Sequence, residues 1–599
     1  MRDPVTHGRR GRETKGAMDF QAQTHSDAPR PRPTARSPGK RTSAGGTTAL
    51  LKTVTLVCAL GFGGLRDGPA ADVTWNGGGN DNFWQTAANW GGTAPATGDA
   101  LLFAGTTRLA PTNDFSSLTI AGLTFSSTAG AFTLSGNAVG LGGGITNNSA
   151  SLQTINLGLN LTANQTVYAV KGDVTINGAI GETGGSFGLA KLGTNTLTLS
   201  GANTFSGGVT LAKGTLAIGS DAALGTGPLR FGVTGSTIAA GIQSSDATPH
   251  TITNKLSMAG DSVVLTFGAV SGGTGDLTFT NNFSLASGGT PTRTFAVNNT
   301  TTFNGVLSGG GTTLIKTGTG TLILNGPNTY GGGTTINVGT LAIRADNNLG
   351  ATNGALSLAG GTLSNTVDVA LDPARTVTLD AGGGAFATAA GTTLTLDHAL
   401  SGFGSLTKAG AGTLALNQAN TYAGGTTLRA GILKLGIDQA IPETGTFTFA
   451  GGTLDANNKS AKIGPLSLTA DSTIRFHADA TPGTLTFSSG SRTAGTLTIE
   501  NWSGTPGNAG TDDRIVIGSS ATLDSAFLAN VMWTRINGSS ASASGALQLG
   551  DGTLTPVPEL SPLPAAGLLL IFFVWVERRR LGQLMPRDRP RRVASAAGN

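Results

Sequence analysis

The sequence is poor in several things at once. Of its 599 residues only Cys58 is a cysteine, and it lies in an apolar segment near the N-terminus that is expected to be removed. The remaining body can form no disulfide and no thiolate metal site. Charged residues make up 12% of the chain, about half the roughly 25% of an ordinary domain. With a mean hydropathy of +0.06, this low charge excludes a disordered, self-repelling chain. Chemistry-bearing patterns are equally scarce. No G-x-S-x-G elbow occurs, and no Gly-Lys-Ser/Thr follows the glycine-rich stretches, so neither a hydrolase turn nor a phosphate loop is indicated.

Basic charge is absent where a nucleic-acid partner would need it. The net charge of +5 comes from the two ends. Residues 1–66 hold 12 of the 38 Lys and Arg, and 577–599 hold 7, which leaves 19 basic against 27 acidic residues in 67–576. A body of net −8 is no phosphate-binding surface, so nucleic acid is excluded as a partner.

What is present is glycine, threonine and aliphatic residues. Gly accounts for 94 positions, about twice the usual share of roughly 7%. Together they suit short β-strands joined by tight turns. Three stretches align without a gap: 191–218, 316–343 and 408–435. Twelve of 28 positions are identical in all three. In the second copy, Thr321–Leu324 reads as a strand, Asn328-Thr329-Tyr330 with Gly331–Gly333 as a bend, Thr334–Val338 as a strand, and Thr340–Ile343 as another. Such strands are too short to stand alone, but stacked coil on coil they bury one apolar face and can align Thr and Asn in ladders. Looser versions run through 136–147, 172–180, 303–316 and 400–408.

The expected fold is therefore all-β: a right-handed parallel β-helix (solenoid) with N- and C-terminal caps, plus one short C-terminal hydrophobic helix. At about 20–29 residues per coil, the body makes roughly 20 coils, or a rod on the order of 100 Å at ~4.8 Å per coil. The alternative of successive antiparallel sandwiches is less consistent with the unbroken pattern. The expected organisation is a basic extension and signal peptide over 1–71, an N-terminal cap over 72–130 and the solenoid over 131–500. A C-terminal cap follows over 501–550, then a linker over 551–562, a hydrophobic helix with an Arg cluster over 563–580, and a basic tail over 581–599. The polar stretch 1–46 is long for a signal-peptide n-region, which favours a start site further in.

The repeat core, GTGTLILNGPNTYGGGTTINVGTL in the second copy, resembles the autotransporter-associated β-strand repeat of secreted, passenger-like proteins. The C-terminal region resembles a PEP-CTERM sorting signal of Gram-negative bacteria. It has Val557-Pro558-Glu559, an apolar run from Leu563 to Val576, and Arg578-Arg579-Arg580. It departs from that pattern at Leu560, where a second Pro is expected, and by continuing for 19 residues past the arginines. The resemblance implies an exosortase-type processing partner, a transient inner-membrane anchor and delivery to the cell surface. Independently of any family, an Arg cluster after an apolar run holds that end cytoplasmic and leaves the body outside. A plain tail anchor is the alternative, although a run of 14 residues is short for a permanent span.

Few residues of the body offer candidate chemistry. Trp75, Trp84 and Trp90 are a permitted sugar-binding group but read better as part of a cap. His250, His398 and His477 are expected as solvated strand or turn residues, at no metal-ligand spacing. Asp512-Asp513 is expected as a turn, or as a partner of Arg514, rather than a glycosidase pair. Lys191, Lys316 and Lys408 recur at one repeat position and are expected on the surface. GGTGDLTF at 272–279 lacks a residue for a calcium nonapeptide and occurs once. No catalytic, metal or cofactor-binding residue is expected. The functional expectation is an exported structural or adhesive surface protein without catalytic activity; the alternative is a polysaccharide-active or polysaccharide-binding β-helix.

Overall fold

Period-two alternation dictates which side chains face inward. In Thr321–Leu324, Leu322 and Leu324 are fully buried while Thr321 and Ile323 point out. The same alternation recurs along the chain and builds an interior of Leu, Ile, Val and Phe. A computed structural model describes residues 71–557, apart from 233–239, 259–263, 270–274, 287–290, 478–480, 509–511 and 521. The expected basic extension and signal segment, the C-terminal hydrophobic helix, the Arg cluster and the tail lie outside the described residues.

The described residues form an all-β parallel solenoid of about 17 turns, somewhat fewer than the coil length alone suggests, with almost no helix. Except at the C-terminal end, each strand pairs in parallel with the strand one coil on, so every short strand draws its hydrogen bonds from its neighbours. Register is kept over many coils. Thr300 aligns with Thr321, Thr340 and Thr362, and Leu322 aligns with Leu341 and Leu363. Like side chains therefore stack. Phe279 lies 4.8 Å from Phe303, ring centroid to ring centroid, with an interplanar angle of 11°. Asn325 donates to Asn304 across coils at 2.8 Å.

Among the described residues six sheets share three faces, each face being built from one sheet followed by another. The first face carries a 4-stranded sheet ending at Ile180–Glu182, then a 12-stranded sheet beginning at His250–Ile252. The second carries an 11-stranded sheet ending at Leu307–Ser308, then a 9-stranded sheet beginning at Val369–Leu371. The third carries a 14-stranded sheet ending at Leu400–Ser401, then a 5-stranded sheet beginning at Ala461–Ile463. While one face is interrupted, the other two run on without a break.

At the N-terminal end, Trp75, Trp84 and Trp90 are buried and pack on Phe103 at centroid distances of 6.2, 6.0 and 5.7 Å. Their faces are turned into the core and are not available to a sugar. At the other end parallel pairing gives way to antiparallel pairing. Arg514–Ile517 pairs with Thr553–Pro556, and Val531–Thr534 with Ser542–Ser544. A single helical turn, Ser525–Ala529, is capped by Asp524 through the Phe527 N–H.

Candidate functional site: the three repeats and an outer groove

Each repeat sits where a face is interrupted. The first copy runs on the second and third faces while the first is open; the second and third copies open the second and third faces in turn. The geometry is the same each time. A strand of the open face ends with an unpaired edge, and an asparagine side chain meets it. Oδ1 of Asn203, Asn328 and Asn420 accepts the backbone N–H of Ile180, Leu307 and Leu400, at 2.7, 2.7 and 2.6 Å. The next backbone N–H, of Thr204, Thr329 or Thr421, donates to the carbonyl of that same strand residue. Nδ2 of each asparagine then donates onward, to the carbonyl of Ala223, Asn348 or Ala440 in the following coil. One buried amide thus bridges three coils where a strand is missing.

Two coils later the face restarts, and an aspartate marks the place. Asp221 Oδ1 accepts from Thr251 N at 3.0 Å, Asp346 Oδ1 from Asp372 N at 3.1 Å, and Asp438 Oδ1 from Ser460 N at 2.8 Å. Each donor lies in or beside the first strand of the new sheet. In the second copy Asp346 also grips Arg375, which is fully buried, at 2.8 and 2.9 Å.

The recurrent lysines are a correction. Lys191, Lys316 and Lys408 are fully buried, not on the surface. Each occupies an inward position of its ladder; Lys408 lies between Phe386 and Leu428. The Lys316 ammonium donates to the carbonyls of Thr317, Gly318 and Val338 at 2.8, 2.7 and 3.1 Å. Lys191 and Lys408 repeat this arrangement. Three protons meet three oxygens, so one cation ties a turn to the turn of the next coil. Burial lowers the pKa of all three lysines to about 8. The turns they clip use glycine because φ is positive there: +74° at Gly318 and +71° at Gly339. A Cβ on Gly318 would stand 2.3 Å from the Val297 carbonyl oxygen.

The histidines and acids also differ from expectation. His250 and His398 are buried. Nδ1 of His250 meets Asp221 at 2.9 Å. Burial lowers the pKa of His398. His477 is partly exposed, with Nε2 2.9 Å from Asp455 Oδ1. Asp513 lies in a bend just ahead of the strand Arg514–Ile517, as one reading expected, but does not pair with Arg514. It is buried and accepts from Gly483 N and from Ser503 Oγ, at 2.9 and 2.8 Å, and burial raises its pKa. Arg514 instead reaches Asp551 at 2.9 Å. Asp276, in the stretch resembling a calcium nonapeptide, accepts the Thr300 N–H at 2.9 Å. Among the described residues no group of three or more His, Cys, Asp or Glu side chains is placed to hold a metal. Of the sorting residues, Val557 is exposed; Pro558, Glu559, Arg578, Arg579 and Arg580 lie outside the described residues.

The outer surface carries a groove of about 520 Å3 on the sheet that restarts the second face. Its floor is Ala415 and Ile432, and Thr395, Thr413, Asn417, Lys434, Asp455 and Asn457 surround it. Four of its residues are in register across successive coils: Thr395, Ala415, Lys434 and Asp455. The Lys434 ammonium has no hydrogen-bond or ion-pair partner among the described residues.

Comparison with known proteins agrees with the repeats. Residues 189–218, 314–343 and 406–435 match the passenger-associated-transport-repeat. The chain is 37% identical over 276 residues to the adhesin BmaC autotransporter of Brucella suis biovar 1 (strain 1330). That alignment covers 43% of this chain and 7% of the relative, so the chain spans only a small part of the adhesin's length. No solved structure matches the chain.

Proposed function

We propose that the chain is a structural, adhesive surface protein: a non-catalytic β-solenoid exported by a Gram-negative bacterium and displayed like an autotransporter passenger. The observation that carries this reading is the coincidence of the three passenger-type repeats with the three places where the solenoid changes sheets. The repeats serve the continuity of a long scaffold, and what a scaffold offers a partner is its outer faces. The similarity to an adhesin supports the same reading. Trp75, Trp84 and Trp90 then act as an N-terminal cap that keeps water from the first coil, and the antiparallel C-terminal segment closes the other end.

The proposal extends to the route. A signal peptide within 1–71, behind a basic extension, directs export. Val557, Pro558 and Glu559, with the apolar run and Arg578, Arg579 and Arg580, act as a PEP-CTERM-like signal read by an exosortase-type enzyme after a transient stay in the inner membrane. Extracellular polysaccharide is the proposed contact. Peptide mass spectrometry on fractionated native cells tests this. Body peptides from 72–550 are expected in the outer or extracellular fraction, without peptides from 577–599. A peptide beyond Arg580 travelling with the body in the membrane fraction would replace the processed form with a tethered one. Body peptides confined to the cytoplasm would overturn export altogether.

A further inference from the structure

The three copies of the repeat provide an internal control. Positions that end, clip or restart a face are held in common: the lysine, the asparagine and the later aspartate. Outward positions that differ between copies are not needed for that work. The third copy ends its last strand Ile432-Leu433-Lys434-Leu435, where the other two read Thr-Leu-Ala-Ile. Lys434 stands where Ala217 and Ala342 stand in the other copies. Its neighbour in the next coil is Asp455, where the other copies have Gln243 and Ser364. The third copy alone therefore sets a cation beside an anion on an outer face, and it does so at the groove.

We propose that this groove binds a neutral oligosaccharide lying along the solenoid axis, a reading that rests on the adhesive function above and specifies its ligand. Its volume of about 520 Å3 falls within the range of about 300–1,000 Å3 typical of ligand sites. Its lining is hydroxyl, amide, ammonium and carboxylate around the apolar Ala415 and Ile432, and those polar groups pair with sugar hydroxyls. Coils repeat every ~4.8 Å, close to the length of one pyranose along its chain, so Thr393 and Thr413, which are in register on successive coils, can meet successive rings. The charge pattern selects a neutral chain. Asp455 Oδ1 is held by Asn457 N and His477 at 2.9 Å each, while Lys434 has no partner among the described residues. A vicinal diol can accept from Lys434 and donate to Asp455 at once. An acidic sugar drawn to Lys434 would also bring its carboxylate against Asp455, the register neighbour of that lysine, a repulsion that a neutral chain does not meet.

The test uses the purified full chain and titration calorimetry with three probes: a β-1,4-linked glucose hexamer, a mannose hexamer and a uronic-acid hexamer. Binding of a neutral hexamer is expected, with no measurable binding of the uronic-acid hexamer. Lys434→Ala should weaken it at least tenfold. Ala415→Trp, which fills the groove floor, should abolish it. Ile323→Trp, the equivalent outward position in the second copy, should leave it unchanged. Far-UV circular dichroism checks that each variant folds; if Ala415→Trp does not, Lys434→Ala decides. The proposal is overturned if neither neutral hexamer binds, if only the uronic-acid hexamer binds, or if binding survives both groove variants. Surface labelling of intact cells is scored separately. A displayed chain that binds no neutral hexamer loses the glycan site and keeps the surface role; a binding chain that is not displayed loses the surface role alone.

Discussion

The first copy of the repeat and the two later ones fill the same buried position with different chemistry. Tyr330 and Tyr422 are fully buried, and their hydroxyls meet Thr334 and Thr426 at 2.8 and 2.6 Å. The first copy places Phe205 and Val209 at these positions, both fully buried. A polar pair has been exchanged for an apolar pair of nearly the same shape, and neither leaves an orphaned hydroxyl. The asparagine, lysine and aspartate show no such exchange. The volume of the packing site is negotiable as long as the pair changes together, whereas the groups that replace missing strand hydrogen bonds recur in all three copies.

Four experiments would break or sharpen that contrast. The largest effect is expected at Asp346. Asp346→Ala leaves the buried Arg375 without its carboxylate and should cost about 3–5 kcal/mol. Asp438→Ala, which loses a single backbone bond, should cost about 1 kcal/mol. Chemical denaturation reads both, and equal losses would mean that the aspartates do not act through these partners. Asn420→Ala removes the acceptor for the Leu400 N–H and should cost about 2 kcal/mol. Hydrogen exchange should localise the loss to Leu400–Ser401 and the coil after it; a uniform loss of protection would refute a local capping role. Phe205→Tyr alone buries an unpaired hydroxyl and should cost about 1–2 kcal/mol, most of it restored by adding Val209→Thr. Absence of coupling in that double-mutant cycle would show the two residues to be independent.

A pH dependence tests the lysines. Burial lowers the three lysine pKa values from 10.5 to about 8. Holding a charged lysine therefore costs folding free energy below about pH 8, and the cost fades as pH rises toward 10.5. Stability should climb across that interval. The buried Tyr330 and Tyr422 act in the opposite sense: burial raises their pKa, so stability is lost once unfolded tyrosines ionise near about pH 10. The melting temperature should thus peak near that pH. Replacing all three lysines by methionine should remove the climb and keep the fall. A climb that persists in the triple variant would place its origin elsewhere.

Much of the architecture was legible in the sequence, because alternation and repeat spacing are local signals. The strands of the second copy fall where Thr-Leu-Ile-Leu and Thr-Leu-Ala-Ile alternate. Residue type alone puts the lysines on the surface, whereas parity points inward: Leu189 and Lys191, Leu314 and Lys316, Leu406 and Lys408 each lie two apart and so face the same side. The aspartates lie just beyond the 28 residues over which the three copies are most alike. Asp221, Asp346 and Asp438 each follow the last repeat residue by three positions, and Leu224, Leu349 and Ile441 follow by three more. The exchange of sheets was not legible, since it depends on counting coils that share no residue identity. The groove was equally hidden, because Lys434 and Asp455 become neighbours only through the register between coils.

The staggered ends of the six sheets have a mechanical consequence. A crack running between coils would spread most easily where a sheet stops, since fewer backbone bonds cross there. At each such level the other two sheets pass through intact, so tension applied at one end is always carried by at least two sheets. The three weak levels lie on three different sides, as joints do in bonded masonry, and none lines up with another. Under tension the solenoid would yield one block at a time and would not tear along its length.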